Sequence, residues 1–302
     1  MNCHKCGEPI ENKVKAHYGL HPTCFCAWFK TPQPMELASL QRKQNTSESD
    51  PDANHSHQNL SFFHGKYKKY SAELNGESYL LKMRQEDAQE LPEVEYLCNQ
   101  IGALIGIPVS DFYYIDFMGE NTFVTKNFIK PGAPTDLQHI YHFRSNKDHS
   151  CEGIIKAIYD NTQRRHDIST FVKTLLFDAL IGNHDRHGRN LGFIVTAKGK
   201  SLSPIYYNVS YLSLESGGML QAQHNPTGKV NTKANYEPSM RDYVIEFKRL
   251  GYQDEINEFH QACKLPKVLE LIENSFCSIE MKAAIKKLVT TRFGELENEI
   301  NA

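Results

Sequence analysis

The sequence predicts an α+β chain of two lobes, a β-rich first lobe and a helical second lobe, behind a small Cys-rich N-terminal module. Three observations predict it. Two Cys/His pairs open the chain, Cys3-x-x-Cys6 and His21-x-x-Cys24. A hairpin signal follows at residues 70–83, where Asn75-Gly76 separates two strand-like runs and suits a type I′ turn. A helical run at 168–181 then leads into a tight polar loop and a second strand–turn–strand pattern. At 302 residues the chain is long enough for two domains, or one two-lobed domain with a substantial core.

Cys3, Cys6, His21 and Cys24 match the Cys3His ligand set of a structural zinc site. So short a segment could hardly fold on apolar burial alone, and a metal explains its cysteines. Cys26 complicates the ligand count, and the alternative is a pair of reduced thiols capping an ordered extension. Trp28 and Phe29 are expected to pack this module onto the main body. From Gln41 to Asn59 the chain turns polar and rich in turn formers, which reads as a linker running into a mobile loop, with His55 and His57 solvated. The expected organisation is a Cys-rich module at 1–40, a linker at 41–59, a β-rich lobe at 60–135 and a helical lobe at 136–302.

Within the first lobe, strand 77–83 ends Tyr79-Leu80-Leu81-Lys82-Met83. A Lys in this apolar context can reach inward to nucleotide phosphates, whereas an ordinary strand Lys keeps its head in solvent. The next element favours the inward reading. Val94, Leu97, Cys98, Ile101, Leu104 and Ile105 define an amphipathic helix with Pro92 near its start. Glu95 on that helix is placed to pair with Lys82, as the strand Lys and helix Glu of protein kinases do. Phe112 to Phe117 and Thr122 to Phe128 make a further hairpin across residues 118–121, and Lys126-Asn127-Phe128 reads as a hinge whose backbone binds an adenine edge. Neither a Walker motif nor a kinase-type Gly-x-Gly-x-x-Gly occurs, so the phosphate cover falls to Ser61-Phe62-Phe63-His64-Gly65-Lys66.

In the second lobe, Asp167 reads as an N-cap and Gly182-Asn183 as the stop of a helix that buries one apolar stripe. The loop that follows holds Asp185 and Asn190 five positions apart, the spacing of a kinase catalytic base and its metal-ligating Asn. Asp185 would meet the incoming hydroxyl while Asn190 turns back to the cation. His187 is assigned to the ATP site. Leu191 to Val195 then reads as a strand, 197–200 as a turn and Ile205 to Ser210 as the return strand. His224 to Asn231 reads as a loop, and 239–300 as helices broken near Gly251, Lys264-Leu265-Pro266 and Cys277-Ser278.

Composition bounds the function classes. Charge is nearly balanced, 34 Lys+Arg against 36 Asp+Glu, which offers no electrostatic argument for direct nucleic-acid or membrane binding. No apolar run reaches membrane-spanning length and no secretory leader precedes the first Cys residues. Cys98, Cys151, Cys263 and Cys277 are scattered and read as free thiols, consistent with a reducing cytoplasm.

Taken in order, Ser61 to Lys68, Tyr79 to Lys82, Pro92-x-x-Glu95, Gly182 to Asn190 and Leu202-x-Pro204-Ile205-Tyr206 resemble the HipA-like toxin kinases, short-form members included. The Cys-x-x-Cys and His-Pro-x-Cys opening is similar to one that some members carry. The resemblance runs from about residue 59 onward and implies a two-lobed, protein-kinase-like Ser/Thr kinase using ATP and Mg²⁺. It implies Asp185 as catalytic base, Asn190 as metal ligand, and Lys82 on the phosphates with Glu95 orienting it. It also implies autophosphorylation in the phosphate loop, with Ser61 aligning best and Ser56 second. Such a modification would add negative charge and keep the loop off ATP. The implied partners are a protein substrate such as an aminoacyl-tRNA synthetase, an antitoxin, and a small separate protein supplying an N-terminal subdomain.

One position departs from the family pattern. A metal-binding carboxylate should follow Pro204-Ile205-Tyr206, and Tyr207 stands there, followed by Asn208. A phenol is a poor ligand for a hard cation. The readings are an inactivated variant of an active kinase, a nucleotide-binding pseudokinase or regulator without turnover, or a substitute carboxylate such as Glu215. A zinc-dependent binding module on a kinase-like scaffold is a further alternative.

Overall fold

Strands and helices alternate in two blocks. The computed structural model describes residues 1–11, 16–43, 69–84, 88–129, 134–143, 149–215, 217–221 and 230–302. They fall into two units, Met1–Tyr96 with Ser110–Ala133 and Leu97–Val109 with Pro134–Ala302.

The first unit is a five-stranded antiparallel sheet with the Cys-rich segment on one face. Its strands are β1 (Ala38–Lys43), β2 (Lys69–Leu74), β3 (Glu77–Met83), β4 (Phe112–Phe117) and β5 (Glu120–Lys126), in the order β1-β2-β3-β5-β4. Asn75 and Gly76 both adopt positive φ, 51° and 75°, as the Asn-Gly pair predicts for a type I′ turn. The second hairpin turns earlier than the sequence suggests. Met118 and Gly119 take φ of 55° and 79°, so β5 begins at Glu120 and stops at Lys126. Strand β1 includes Gln41 to Lys43, the first residues of the expected linker.

Period-2 alternation assigns the two faces. Tyr79, Leu81, Tyr113, Ile115, Phe117 and Val124 share a core with Cys3, Leu20, Phe25, Phe29 and Leu37. Helix α1 (Pro22–Phe29) delivers the aromatic anchors: the Phe29 ring stacks on Tyr113 at 4.4 Å, and Trp28 meets the same ring edge-on at 5.8 Å. The Cys-rich segment is therefore one layer of this unit. On the opposite face Tyr114 and Phe123 pack with Tyr96 of helix α2 (Leu91–Leu104).

The second unit contains a three-stranded sheet of β6 (Asp136–His139), β7 (Gly192–Thr196) and β8 (Gly199–Leu202), with helices α3 (Cys151–Thr162), α4 (Arg165–Ile181), α5 (Met240–Arg249), α6 (Gln253–Ala262), α7 (Leu265–Glu273) and α8 (Ile279–Asn301). The C-terminal helices break where the sequence suggests, with Ser239 and Ser278 capping α5 and α8. Three expectations are corrected here. Helix α4 starts at Arg165, and Asp167 lies in its first turn, where its carboxylate accepts the Leu202 N–H at 3.1 Å. Helix α4 packs against α3, α5, α6 and α8, so every residue from Thr174 to Ile181 is buried rather than one stripe. The return strand is β8, not 205–210: Pro204 lacks an N–H for the ladder, Ile205 makes an isolated parallel bridge to Val109, and Tyr207 takes a φ of 58°.

Among the described residues no helix is long and apolar enough to cross a membrane. Phe29→Ala should destabilise the first unit by about 3–5 kcal/mol, the usual cost of emptying a buried aromatic site, measured by urea unfolding followed through the intrinsic fluorescence of Trp28.

Candidate active site

In the first unit, alternation along β3 sends Leu81 into the core beside the Cys-rich segment and Lys82 to the α2 face. The Lys82 ammonium meets Glu95 Oε1 there, with the two side chains only 4% and 2% exposed. It also lies 5.6 Å from the centre of the Phe123 ring. A buried ion pair needs good geometry to offset desolvation, and losing one partner strands the other charge. Glu93, two residues earlier on α2, accepts from Arg84, from the Tyr114 hydroxyl at 2.8 Å and from Asn121 Nδ2 at 3.1 Å, all on Oε1.

Lys126 is engaged differently from the hinge reading. Its N–H donates to Asp111 O at 2.8 Å, its carbonyl accepts the Ser110 hydroxyl at 2.6 Å, and its ammonium is 3.1 Å from Glu77. Its main-chain N–H and C=O are therefore both taken up by the segment that leads into β4. Asn127 donates to Ser78 O, its Oδ1 accepts from Ile129 N–H, and Phe128 is half-buried just beyond. Ser56 and Ser61, with the rest of the expected phosphate loop, lie outside the described residues, as does most of 224–231.

In the second unit the polar loop forms a tight constellation. Gly182, at φ 69°, ends α4; a Cβ there would come within 2.9 Å of Tyr211. Asn183 Oδ1 accepts the Asp185 N–H at 3.0 Å, which turns the chain so that Asp185 is 60% exposed. Asn190 is buried and its Nδ2 donates to Asp185 Oδ2 at 3.1 Å and to Asp185 O at 2.6 Å. With the amide nitrogen so engaged, the Oδ1 end is the one suited to a hard cation. His187 Nδ1 accepts the Arg189 N–H at 3.2 Å, so the neutral ring carries its proton on Nε2, 3.4 Å from Asp185 Oδ1. His187 thus steadies the carboxylate.

Two residues that sequence reasoning passed over hold this loop. Arg186, fully buried, forms a bidentate pair with Asp178 of α4, Nε to Oδ2 and Nη2 to Oδ1, each at 2.8 Å. Its remaining donors reach Tyr206 O at 2.7 Å, Asn190 O at 3.2 Å and Asn208 Oδ1 at 2.7 Å. Burial opposes charge on the guanidinium, but Asp178 beside it holds Arg186 above its ordinary value. Asn183 Nδ2 adds a 2.9 Å bond to Asp178, and the Tyr206 hydroxyl donates to Arg189 O at 3.1 Å. The available signal was a lone Asp in the otherwise apolar run Leu175 to Ile181.

Asn208 is 0% exposed, and its carboxamide is committed at both ends: Oδ1 to Arg186, Nδ2 to Asn99 Oδ1 at 3.0 Å. That oxygen already accepts from a guanidinium, which gives Asn208 a structural part in the loop. Tyr207 is half-buried, its ring 5.4 Å from that of Tyr206, and its carbonyl accepts Asn183 Nδ2 at 3.2 Å. A positive φ is common for Asn and Asp and strained for an aromatic residue. Lys82 and Glu95 belong to the first unit; Asp185, His187, Asn190, Tyr207 and Asn208 belong to the second.

The Cys/His donors also converge. Cys3, Cys6 and Cys24 Sγ and one His21 ring nitrogen lie within 4.8 Å of one another. The His21 Nε2–H donates to Pro9 O at 3.2 Å, so Nδ1 directs its lone pair at Cys6 Sγ, 3.5 Å away. Burial raises the Cys3 thiol, but backbone N–H donors of Cys6, His21 and Lys5 bring it down to about 6. Burial and the two neighbouring cysteines push Cys24 up to about 11. Three sulfurs and an inward imidazole nitrogen fit a tetrahedral ion; Cys26 is outside the set.

Asp178→Asn should lower stability to urea by about 3–5 kcal/mol, because it leaves the buried Arg186 charge uncompensated. Elemental analysis of the purified chain should find one bound ion per molecule, and Cys24→Ser should remove it.

Comparison with known proteins places this geometry. The chain superposes on the Helicobacter pylori proinflammatory kinase CtkA with a TM-score of 0.65 at 17% identity, over 77% of this chain and 93% of that one. It also superposes on HipA of Shewanella oneidensis MR-1, from a complex of HipA, HipB and operator DNA, with a TM-score of 0.52 at 13% identity, over 74% of this chain and 60% of that one. No curated protein matches it in sequence. The fold is kinase-like, with an antiparallel-sheet first part and a helical C-terminal part. The HipA-like C-terminal domain pattern matches residues 41–283, and the chain belongs to that family.

Proposed function

We propose that the chain is an ATP- and Mg²⁺-dependent serine/threonine protein kinase of the toxin type, with turnover limited by Tyr207. The observation that carries this reading is the Asp185–Asn190 contact at 3.1 Å, on a loop anchored by a buried Arg–Asp pair. The Lys82–Glu95 pair supports it independently. In this reading Asp185, exposed and steadied by His187, accepts the proton of an incoming hydroxyl. Lys82 neutralises phosphate oxygens, with Glu95 keeping its ammonium in place. Asn190 Oδ1 ligates the cation, which supplies charge neutralisation on the transferring phosphoryl group when bound.

Tyr207 supports a second reading, a nucleotide-binding pseudokinase or regulator. Where the family resemblance expects a carboxylate the chain offers a phenol, and Asn208 has its carboxamide committed elsewhere. The resemblance further supports a protein substrate such as an aminoacyl-tRNA synthetase, autophosphorylation at Ser61 or Ser56, a small antitoxin with or without a separate N-terminal subdomain protein, and a bacterial cytoplasmic setting. The Shewanella HipA complex with HipB supports the antitoxin. The donor set at Cys3, Cys6, His21 and Cys24 supports structural zinc.

Phosphotransfer from labelled ATP separates the two readings. Tyr207→Asp should raise the rate by roughly 10²-fold or more through the restored charge, and Asp185→Ala in that background should lower it by about 10²–10⁴-fold. Equal rates for the parent chain and Tyr207→Asp would remove Tyr207 from the metal site. ATP binding without transfer in both would establish the pseudokinase.

A further inference from the structure

His4 stands between the two cysteines of the first Cys/His knuckle. Its main-chain N–H donates to Gly19 O of the second knuckle at 3.1 Å, and a Cβ on Gly19 would come within 3.0 Å of its imidazole. The folded centre therefore holds this ring in place. On its far side the ring lies 5.1 Å from that of Tyr114 and hydrogen-bonds to the Tyr114 main chain. Two residues along β4, the Asp116 N–H donates to Tyr18 O at 3.0 Å, so both knuckles grip the same strand.

Tyr114, on the edge strand β4, carries the contact along the α2 face of the sheet. Its hydroxyl donates at 2.8 Å to Glu93, in the first turn of α2. That carboxylate also gathers Arg84 from the end of β3 and Asn121 from β5, which sets where α2 begins relative to the sheet. Glu95, two residues later, meets Lys82. An unbroken series of contacts thus joins the knuckle to the buried ion pair, all within the first unit.

We propose that His4, Tyr114 and Glu93 are positioning residues for the Lys82–Glu95 pair, held in place by metal in the Cys3/Cys6/His21/Cys24 centre. The proposal rests on the nucleotide-binding reading above. Without the ion the knuckles loosen, His4 no longer backs Tyr114, the hydroxyl leaves Glu93, and the start of α2 is no longer tied to β3, β4 and β5. Lys82 then loses its fixed carboxylate and grips phosphate less well.

The test uses the full chain, zinc-loaded and chelator-stripped, as wild type and as Tyr114→Phe, which deletes one hydroxyl. Deuterium uptake of the α2 amides and ADP affinity by calorimetry are read in each state. Stripping zinc and Tyr114→Phe should each speed α2 exchange and weaken ADP about tenfold, as loss of a charge-assisted hydrogen bond would. Combined, they should do no more than the larger alone, since both break one path. Tyr114→Phe should keep its zinc. Glu93→Gln, which retains an acceptor oxygen, should fall between wild type and Glu93→Ala. Unchanged α2 exchange on stripping, additive effects, or equal acceleration across the β2–β3 hairpin would overturn the proposal. If zinc-loaded wild type binds no ADP while α2 exchange still follows zinc and Tyr114, the coupling stands and the nucleotide reading fails.

Discussion

The buried ion pair between Asp178 and Arg186 is the constraint from which the catalytic loop takes its shape. An Arg whose five N–H donors are fixed in one plane can serve several chain segments at once. Here the fork joins α4, the loop carbonyl of Asn190, the Tyr206 carbonyl and the Asn208 side chain. Asp178, Asn190, Tyr206 and Asn208 are all buried, so the fork meets its acceptors out of reach of bulk water. The same planar group, one residue along from Asp185, holds the chain on both sides of Tyr207 through the Tyr206 carbonyl and the Asn208 side chain. Breaking one partner costs more than the pair contributes, because the surviving charge has nowhere to go.

That arrangement explains the backbone at Tyr207. Its neighbours are pinned, Tyr206 through its carbonyl and Asn208 through its carboxamide, and its own carbonyl accepts Asn183 Nδ2. A residue clamped on both sides and at its oxygen has little freedom to relax away from a positive φ. The loop thus maintains a conformation suited to a short polar side chain while carrying a phenol in that position.

The first unit follows a different logic. Its sheet is covered on one face by a segment whose own core is too small to stand alone, and on the other by the start of α2. Stacked rings join the sheet to the Cys-rich layer, and the Tyr96, Tyr114 and Phe123 cluster together with hydrogen bonds to the buried Glu93 carboxylate joins it to the helix. The strand carrying Lys82 lies between them, with Leu81 facing the Cys-rich layer and Lys82 facing α2.

Local patterns were enough to read much of this molecule. The Asn75-Gly76 turn, the presence of a helix at α2, the Asp185-x-x-x-x-Asn190 loop, the breaks between the C-terminal helices and the packing of Trp28 and Phe29 all follow from spacing, turn chemistry and apolar periodicity, which act over a few residues. The single apolar stripe expected on α2 does not hold, since Leu91 to Asn99 are all buried and Leu104 is exposed. The convergence of the Cys/His quartet was legible for the same reason, since each of its two pairs is spaced by three positions. Asp178, Arg186 and the job of Asn208 were not legible. For Asp178 the sequence offers only its place in an apolar run, its burial being decided when packing around α4 removes water from all sides, and nothing names the partner of a guanidinium whose acceptors come from three separate stretches of chain. The turn at Met118-Gly119, the end of β8 and the closed main chain of Lys126 were likewise set by which neighbours supplied hydrogen bonds, a matter of distance in space that no local pattern contains.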